Sequence, residues 1–359
     1  MYRTRTTRTH LLLWLAATAM IAMPGLCRAA ESASPLTKEQ IADGWIMLFD
    51  GETTYGWATK GDCKCKAADG ALVCEGGDGW LVTTTEFADC LLKLQVRGDA
   101  KGVIVWGLAK DGDPSKAANK KEIAGKAGEW QDAEIKAEGA RGFIAIQCVP
   151  KLEVRNVCLK PLAEKSIFNG KNLDGWKPLI GPTWPSSFTV TRDGCLNIKK
   201  GPGDIQTEAQ WKDFCLQLEI MSKNPDAEKK KLNSGVFFRA EPGKFWQGYE
   251  AQIRNEFKGD DRTKPVDFGT GAVYNRQPAR KVVPNENEWY TMTITAAGNH
   301  IATWVNGYQT TDYTDTNPPG SPRENRCRTE AGIISLQGHD PTTDMYFRNI
   351  RIGAFPEAK

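Results

Sequence analysis

Residues 167–176 read IFNGKNLDGW and residues 48–57 read LFDGETTYGW, with Phe, Gly, Gly and Trp at the same relative positions 119 residues apart. The chain contains one unit twice. From Asp69 the match resumes at an offset of 124: Asp69-Gly70 answers Asp193-Gly194, Leu81 answers Ile205, Thr83 answers Thr207, Phe87 answers Trp211 and Asp89 answers Asp213. Farther on, Glu129-Trp130 answers Glu288-Trp289, GFIAIQ at 142–147 answers GIISLQ at 332–337, and Arg155-Asn156-Val157 answers Arg348-Asn349-Ile350. Anchors kept in one order across both halves indicate duplication.

Period-two alternation dominates. Phe214, Leu216, Leu218 and Ile220 fall on one face, with Cys215, Gln217 and Glu219 on the other, the pattern of a half-buried strand. WVNGY at 304–308 reads as a hairpin, because Asn-Gly accepts the positive φ of a tight turn. Only residues 37–42 suggest a helical turn. The reading is all-β: two tandem β-sandwiches, the second a two-sheet jelly roll of ten or more strands and the first reduced. The expected boundaries are a signal peptide at 1–29, a linker at 30–40, a degenerate copy at 41–162 and a full copy at 165–356. The first copy runs from Trp106 through a Lys- and Gly-rich loop to Trp130, where the second interposes residues 245–274 and later the Trp304 hairpin. What the second copy adds is where chemistry is expected.

Residues 1–10 carry Arg3, Arg5 and Arg8 without an acid, residues 11–23 are apolar, and Cys27 and Ala29 stand at minus three and minus one of a cleavage site. This predicts export, periplasmic or secreted, and no other run is long and apolar enough to span a bilayer. The whole chain has 47 Lys and Arg against 44 Asp and Glu; residues 1–29 hold four Arg and no acid, so their removal leaves 43 against 44, near −1. That balance gives no electrostatic footprint for nucleic acid.

Nine cysteines follow the signal: Cys63, Cys65, Cys74, Cys90, Cys148 and Cys158 in the first half, Cys195, Cys215 and Cys327 in the second. In an exported chain disulfides are expected, with at least one thiol left over. Cys63-x-Cys65 with Cys74 lacks a paired CxxC, and the first half lacks His after the signal, which argues against a metal there. Cys90 aligns with Phe214 and is expected to pack.

In YEAQIR at 249–254, alternation sends Tyr249, Ala251 and Ile253 one way and Glu250, Gln252 and Arg254 the other. Ser335, Gln337 and His339 share a face of 333–339, and Arg239 lies opposite Val236 and Phe238. If these strands are neighbours, Glu250, Gln252, Arg239, Gln337 and His339 converge on one concave surface. Trp246, Tyr249 and Tyr274 could stack on a sugar ring.

FNGKNLDGW, NSGVFFRA at 233–240, GYEAQI at 248–253, TGAVY at 270–274, WVNG at 304–307, GIISLQGH at 332–339 and FRNIRI at 347–352 together resemble the 3-keto-disaccharide hydrolase-like domain, also described as 3-keto-glycoside lyases and 3-keto-2-hydroxy-glucal hydratases. The resemblance implies a concanavalin A-like jelly roll and an exported enzyme acting on sugars oxidised at C3. A C3 ketone acidifies the C2 hydrogen, so the site needs a base near C2, donors for the enolate oxygen and an acid for the leaving oxygen. The resemblance assigns Glu250 and His339 as base and acid in either order. Arg239 and Gln252 would hold the carbonyl or its neighbouring hydroxyls, with Gln337, Tyr274 and Trp246 completing the pocket.

The residues specify no cofactor. A divalent metal would be an alternative polariser of the ketone, although His339 and Glu250 are too few to define its site. The partners implied are a carbohydrate substrate and a separate 3-dehydrogenase, since no dinucleotide-binding Gly-rich turn is present. A non-catalytic, lectin-like glycan binder is the main rival, because fold does not fix function. A carboxylate-pair glycosidase ranks last, with no E-x-D-x-E strand in the second half. In the first copy Trp106 answers Arg239, Val149 answers His339 and Glu250 has no counterpart, so that copy is expected not to be catalytic.

Overall fold

The computed structural model describes residues 1–2, 36–181, 183, 185–228, 231–318 and 326–357. Apart from Met1 and Tyr2, the signal reading over 1–29 lies outside the described residues. Ser34–Lys359 form one compact unit of strands joined by turns, with a short helix at Lys38–Ala42 and a 3-10 turn at Pro114–Lys116. Among the described residues no helix is long and apolar enough to cross a membrane.

The expected linker over 30–40 is corrected at its C-terminal end. Thr37 opens the helix with a capping box: its Oγ1 accepts from Gln40 N (3.2 Å), and Gln40 Oε1 accepts from Thr37 N (2.9 Å). Leu36 is buried in a cluster with Trp45 and Met47, so an apolar anchor fixes residues whose polar composition suggested none.

Each half builds its own core. In the second half an eight-stranded sheet packs on a five-stranded one, burying Leu216 and Ile294 from the first against Val236, Ala251 and Leu336 from the second. In the first half ten strands share one hydrogen-bonded array. Its strand Gln131–Gln147 pairs along its first part with Phe87–Arg97, and along its last part with Gly79–Thr83 and Lys101–Leu108. The strand thus passes from one layer to the other around a core that includes Leu92, Ile135 and Ile146.

The two copies agree atom by atom. Asp50 Oδ1 accepts from Thr53 N (2.7 Å), and Asn169 Oδ1 accepts from Asn172 N (3.0 Å), the same Asx-type turn. Trp57 donates its indole N–H to Leu48 O (2.5 Å), and Trp176 donates to Ile167 O (2.7 Å). The guanidinium carbon of Arg155 lies 4.0 Å from the Trp130 ring centre, and that of Arg348 lies 4.0 Å from Trp289. Asn156 and Asn349 take left-handed backbone (φ 51 and 50) where the ladder shifts register in each copy; Asn tolerates that conformation better than most residues. Duplication is therefore preserved in turns, bulges and stacking as well as in sequence.

The copies diverge where the second is longer. Gln131–Gln147 runs uninterrupted in the first, whereas Tyr290–Ala297 and Ile333–Gly338 are separated in the second by the hairpin His300–Val305 and Tyr308–Thr314. Its turn residues Asn306 and Gly307 have φ of 47 and 77, as the Asn-Gly signal required. This hairpin was expected to add chemistry; it ties the halves together instead. Trp304 is 1 % exposed, sits in the core of the first half, packs 6.1 Å from Phe87 and donates to Met47 O (2.9 Å). Gly307 receives Met47 N–H (2.8 Å) so closely that a Cβ there would lie 2.7 Å from Leu36 Cδ1.

Cys63 pairs with Cys148 and Cys65 with Cys74. Cys90, Cys158, Cys195, Cys215 and Cys327 are free, and Cys90 is buried as a packing residue should be.

Candidate active site

The five-stranded sheet runs in the order Trp176–Leu179, Gly203–Thr207, Ile333–Gly338, Ser234–Ala240, Tyr249–Ile253, all antiparallel. Its register turns sequence alternation into rows. Ile205, Leu336, Val236 and Ala251 stand side by side and face the core. On the opposite face, Gln206, Ser335, Phe237 and Glu250 form one row, and Asp204, Gln337, Gly235 and Gln252 the next. Glu250 leans across the gap that Gly235 leaves: a Cβ at 235 would lie 2.2 Å from Glu250 Oε1. Glycine at 235 makes room for that carboxyl group.

A cleft of about 290 Å³ lies over this face. Six of the seven site residues expected from sequence line it: Glu250, His339, Gln252, Gln337, Tyr274 and Trp246. Among the described residues the Glu250 carboxyl has no hydrogen-bond partner, and burial, with the charges of Asp267 and Asp204 behind it, pushes its pKa up to about 8. It is therefore largely protonated at neutral pH. His339 has Asn233 Nδ2 3.2 Å from its Nε2 and Asp340 Oδ2 3.2 Å from its Nδ1. An amide donor on Nε2 and a carboxylate on Nδ1 assign the proton to Nδ1. The Trp246 ring stacks on the imidazole (5.4 Å between centres, 11° between planes) and remains 40 % exposed, leaving a platform at the mouth. Tyr274 is raised by burial and by the Asp267 and Glu250 charges, so it remains a phenol.

Asn233, Asn275, Arg276 and Arg328 also line the cleft and were missed. Asn233 lies inside the NSGVFFRA motif; the others sit in loops, where no periodicity marks them. Asp204, beneath the cleft, was missed although it alternates with Gln206 in GDIQT. It is 1 % exposed and pushed up to about 7 by burial, against hydrogen bonds from Ser335 and Gln206. Four buried acceptors at this face, Asp204 Oδ1, Asn233 Oδ1, Gln252 Oε1 and Gln337 Oε1, have no partner among the described residues. Unmet buried acceptors are costly, and hydroxyl donors of a ligand would satisfy them.

Arg239 is corrected. The register shifts between Phe237 and Ala240, Arg239 takes φ 48, and this bulge turns its side chain out of the cleft row. Its guanidinium is fully buried and pairs with Asp213 (2.8 Å). It donates to the carbonyls of Lys212 (2.7 Å) and Arg328 (2.7 Å), and also to Gly298 O. It braces three segments and does not line this cleft.

Register also corrects two internal counterparts. Val105 stands opposite Ala145 and Lys120 as Phe237 stands opposite Ser335 and Glu250, so Lys120 occupies the Glu250 position. The first copy has the strand, Lys120–Ala124, inside what reads as a loop. Leu108 opposes Phe143 as Ala240 opposes Ile333, which makes Gly107 (φ 68) the equivalent of Arg239, one residue from the Trp106 of the sequence alignment. Trp80 and Val82, opposite Gln147 and Ala145, replace Asp204 and Gln206.

The other histidine after the signal, His300, borders a second cleft of about 350 Å³ with Thr84 and Phe143. Its ring nitrogens are held by Asp312 (3.0 Å), Thr85 (3.2 Å) and Thr314 (2.9 Å), a satisfied structural network. Among the described residues the one group of three or more His, Cys, Asp or Glu donors close enough to share a metal is Cys63, Cys65, Cys74 and Cys148, already paired as disulfides.

A presumed glycosyl hydrolase of Parabacteroides distasonis ATCC 8503 aligns at 28 % identity over 54 % of this chain and 99 % of its own, TM-score 0.41. A second from the same organism gives 20 %, 54 %, 94 % and 0.43. The carbohydrate-binding module CBM66 of Bacillus subtilis gives 16 %, 51 %, 98 % and 0.37. Comparison with curated proteins returns no match. The 3-keto-alpha-glucoside-1,2-lyase-like domain family matches residues 44–114 and 163–353. With most of both sandwiches covered, the chain belongs to the 3-keto-alpha-glucoside-1,2-lyase-like domain family.

Proposed function

We propose that this chain is an exported enzyme that cleaves 3-keto-glycosides in the cleft of its second half, leaving the first half without catalytic chemistry. The observation that carries this reading is the unpartnered, largely protonated Glu250 carboxyl facing the same cleft as His339. His339, oriented by Asp340 on Nδ1, takes the proton from C2 on Nε2 when the substrate displaces the Asn233 amide from that nitrogen. The C2–H electron pair enters the C2–C3 bond, and charge develops on the C3 oxygen. The Gln337 amide, without a partner among the described residues, supplies an N–H donor to that oxygen. Collapse of the enolate restores the C3 ketone, forms the C1–C2 double bond and expels the C1 oxygen, which Glu250 protonates. Addition of water across C1–C2 returns a proton to C2 and hydroxyl to C1, completing a net hydrolysis. Trp246 offers the platform for the departing group.

The ketone is made elsewhere, by a 3-dehydrogenase that oxidises the glycoside before it arrives. Glycan binding without turnover is the second reading, favoured by the unmet acceptors and the exposed Trp246. Incubating the chain lacking residues 1–29 with a 3-keto-glucoside, with and without chelator, separates the two. Release of the C1 group that Glu250→Gln abolishes supports the lyase; retained binding without release supports the rival.

A further inference from the structure

We propose that Asp204 is a positioning residue of this site: it forms a buried carboxyl pair with Glu250 and anchors the loop that sets Trp246 on His339. Within the proposed function above, this adds a residue that touches neither substrate nor reacting atoms.

The geometry comes from the sheet. Asp204 stands opposite Gln337, the adjoining position across the ladder is Gly235, and the Glu250 carboxyl lies over Gly235. Because 235 has no side chain, the Glu250 carboxyl extends over that position toward Gln337 and Asp204 beyond it, and the Asp204 charge acts on it. Asp204 Oδ2 accepts from Ser335 Oγ (3.0 Å) and Gln206 Nε2 (3.4 Å), while Oδ1 has no partner among the described residues. No Lys or Arg pairs with either carboxylate among the described residues. Two buried carboxyls without a cation ionise in sequence, since each charge opposes the next.

The second task is mechanical. It runs through Gln206, whose Nε2 donates to Asp204 Oδ2 (3.4 Å) and to Lys244 O (2.9 Å) and whose Oε1 accepts from Gly243 N (2.9 Å). These bonds pin the loop whose indole covers the imidazole. In the first copy Trp80 and Val82 stand in these places, and neither can do this.

The other charged or titratable groups facing the cleft are Asp267 and Tyr274 on the loop after Tyr249–Ile253, Arg276, Arg328 and His339. Asp267 is exposed and screened, so its charge is the weaker handle on Glu250 in solution.

The test is Asp204→Asn, which keeps the shape and the acceptor for Ser335. The Glu250 carboxyl is followed by carbon-13 NMR across pH 5 to 10, its resonance identified by loss in Glu250→Gln. Removing the Asp204 charge makes Glu250 easier to ionise, so its midpoint moves down by roughly one pH unit, and the alkaline limb of kcat/KM moves with it. Ser335→Ala, which removes a bond favouring the Asp204 carboxylate, moves the midpoint the same way by less; it serves if Asp204→Asn does not fold. An unmoved midpoint in the folded variants overturns the proposal, even if turnover falls. A moved midpoint with no wild-type turnover keeps the pair and rejects the lyase.

Discussion

The two halves share turns, bulges and stacked Arg–Trp pairs, yet differ on the one sheet face that could hold a substrate. The second copy has Asp204, Gln206, Gln337 and Glu250 there; the first has Trp80, Val82, Gln147 and Lys120 at the same register positions. A sandwich is held by the residues facing inward, so the outer face is free to change without loss of the fold. The first copy spent that freedom on apolar contacts: Val82 and Phe143 pack with Val105 and Leu108. It also receives Trp304 from its partner copy into its core. The first copy packs that face with apolar side chains, while the second presents unsatisfied polar groups that a ligand can use.

Mutations can break or sharpen this contrast. The largest expected effect is at Glu250: Glu250→Gln lowers turnover of a 3-keto-glucoside by about 10²–10⁴-fold, the usual worth of a general acid, with unfolding temperature unchanged or raised. Full activity in that variant would place the chemistry elsewhere. Next come the residues that read as function but act in packing. Trp304→Ala removes a buried indole shared between copies and costs about 3–5 kcal/mol in denaturant unfolding. Arg239→Met leaves the half-buried Asp213 carboxylate with Arg141 alone (2.9 Å) and costs about 3 kcal/mol. KM measured well below its unfolding temperature stays unchanged, which a substrate-binding arginine would not allow.

The pH dependence is smaller but its sign is fixed. Burial raises Glu250 to about 8, and Asp204 and Glu164 to about 7. The folded chain therefore holds protons that the unfolded chain releases, and this contribution to stability is complete below about pH 4 and lost as pH rises through 7 to 8. Unfolding temperature should fall across that range, and Glu250→Gln should make the fall shallower. For the same reason kcat/KM should drop above pH 8. The smallest effect is in the first copy: Lys120→Glu places the residue type proposed as the acid at an exposed position, yet stability shifts by no more than about 0.5 kcal/mol. With Glu250→Gln also present, no turnover returns, because Trp80 and Val82 leave nothing to orient the new acid.

Local patterns made much of the molecule legible. Alternation in YEAQIR places Glu250 and Gln252 on one face whatever the neighbouring strands are, since successive side chains point oppositely. The Asn-Gly turn was equally readable, being fixed by two adjacent residues. The same rule misled at Arg239, because a bulge inserts one residue and ends the alternation, and nothing in VFFRA announces it. It misled again at Lys120, whose strand lies in a stretch rich in Lys and Gly that resembles a loop until it pairs with Lys101–Leu108.

The sequence by itself determined the duplication, the all-β class and the strand faces, because each depends on spacing along the chain; the six cleft residues followed from those faces together with the family resemblance. Only the tertiary structure decided that Arg239 braces, that Trp304 belongs to the other copy's core, and that Asp204 is buried beneath the cleft that Glu250 lines. Those facts depend on which strands adjoin and what surrounds each charge. Cross-strand register and burial are set by the packing of the whole chain, and no local stretch contains them.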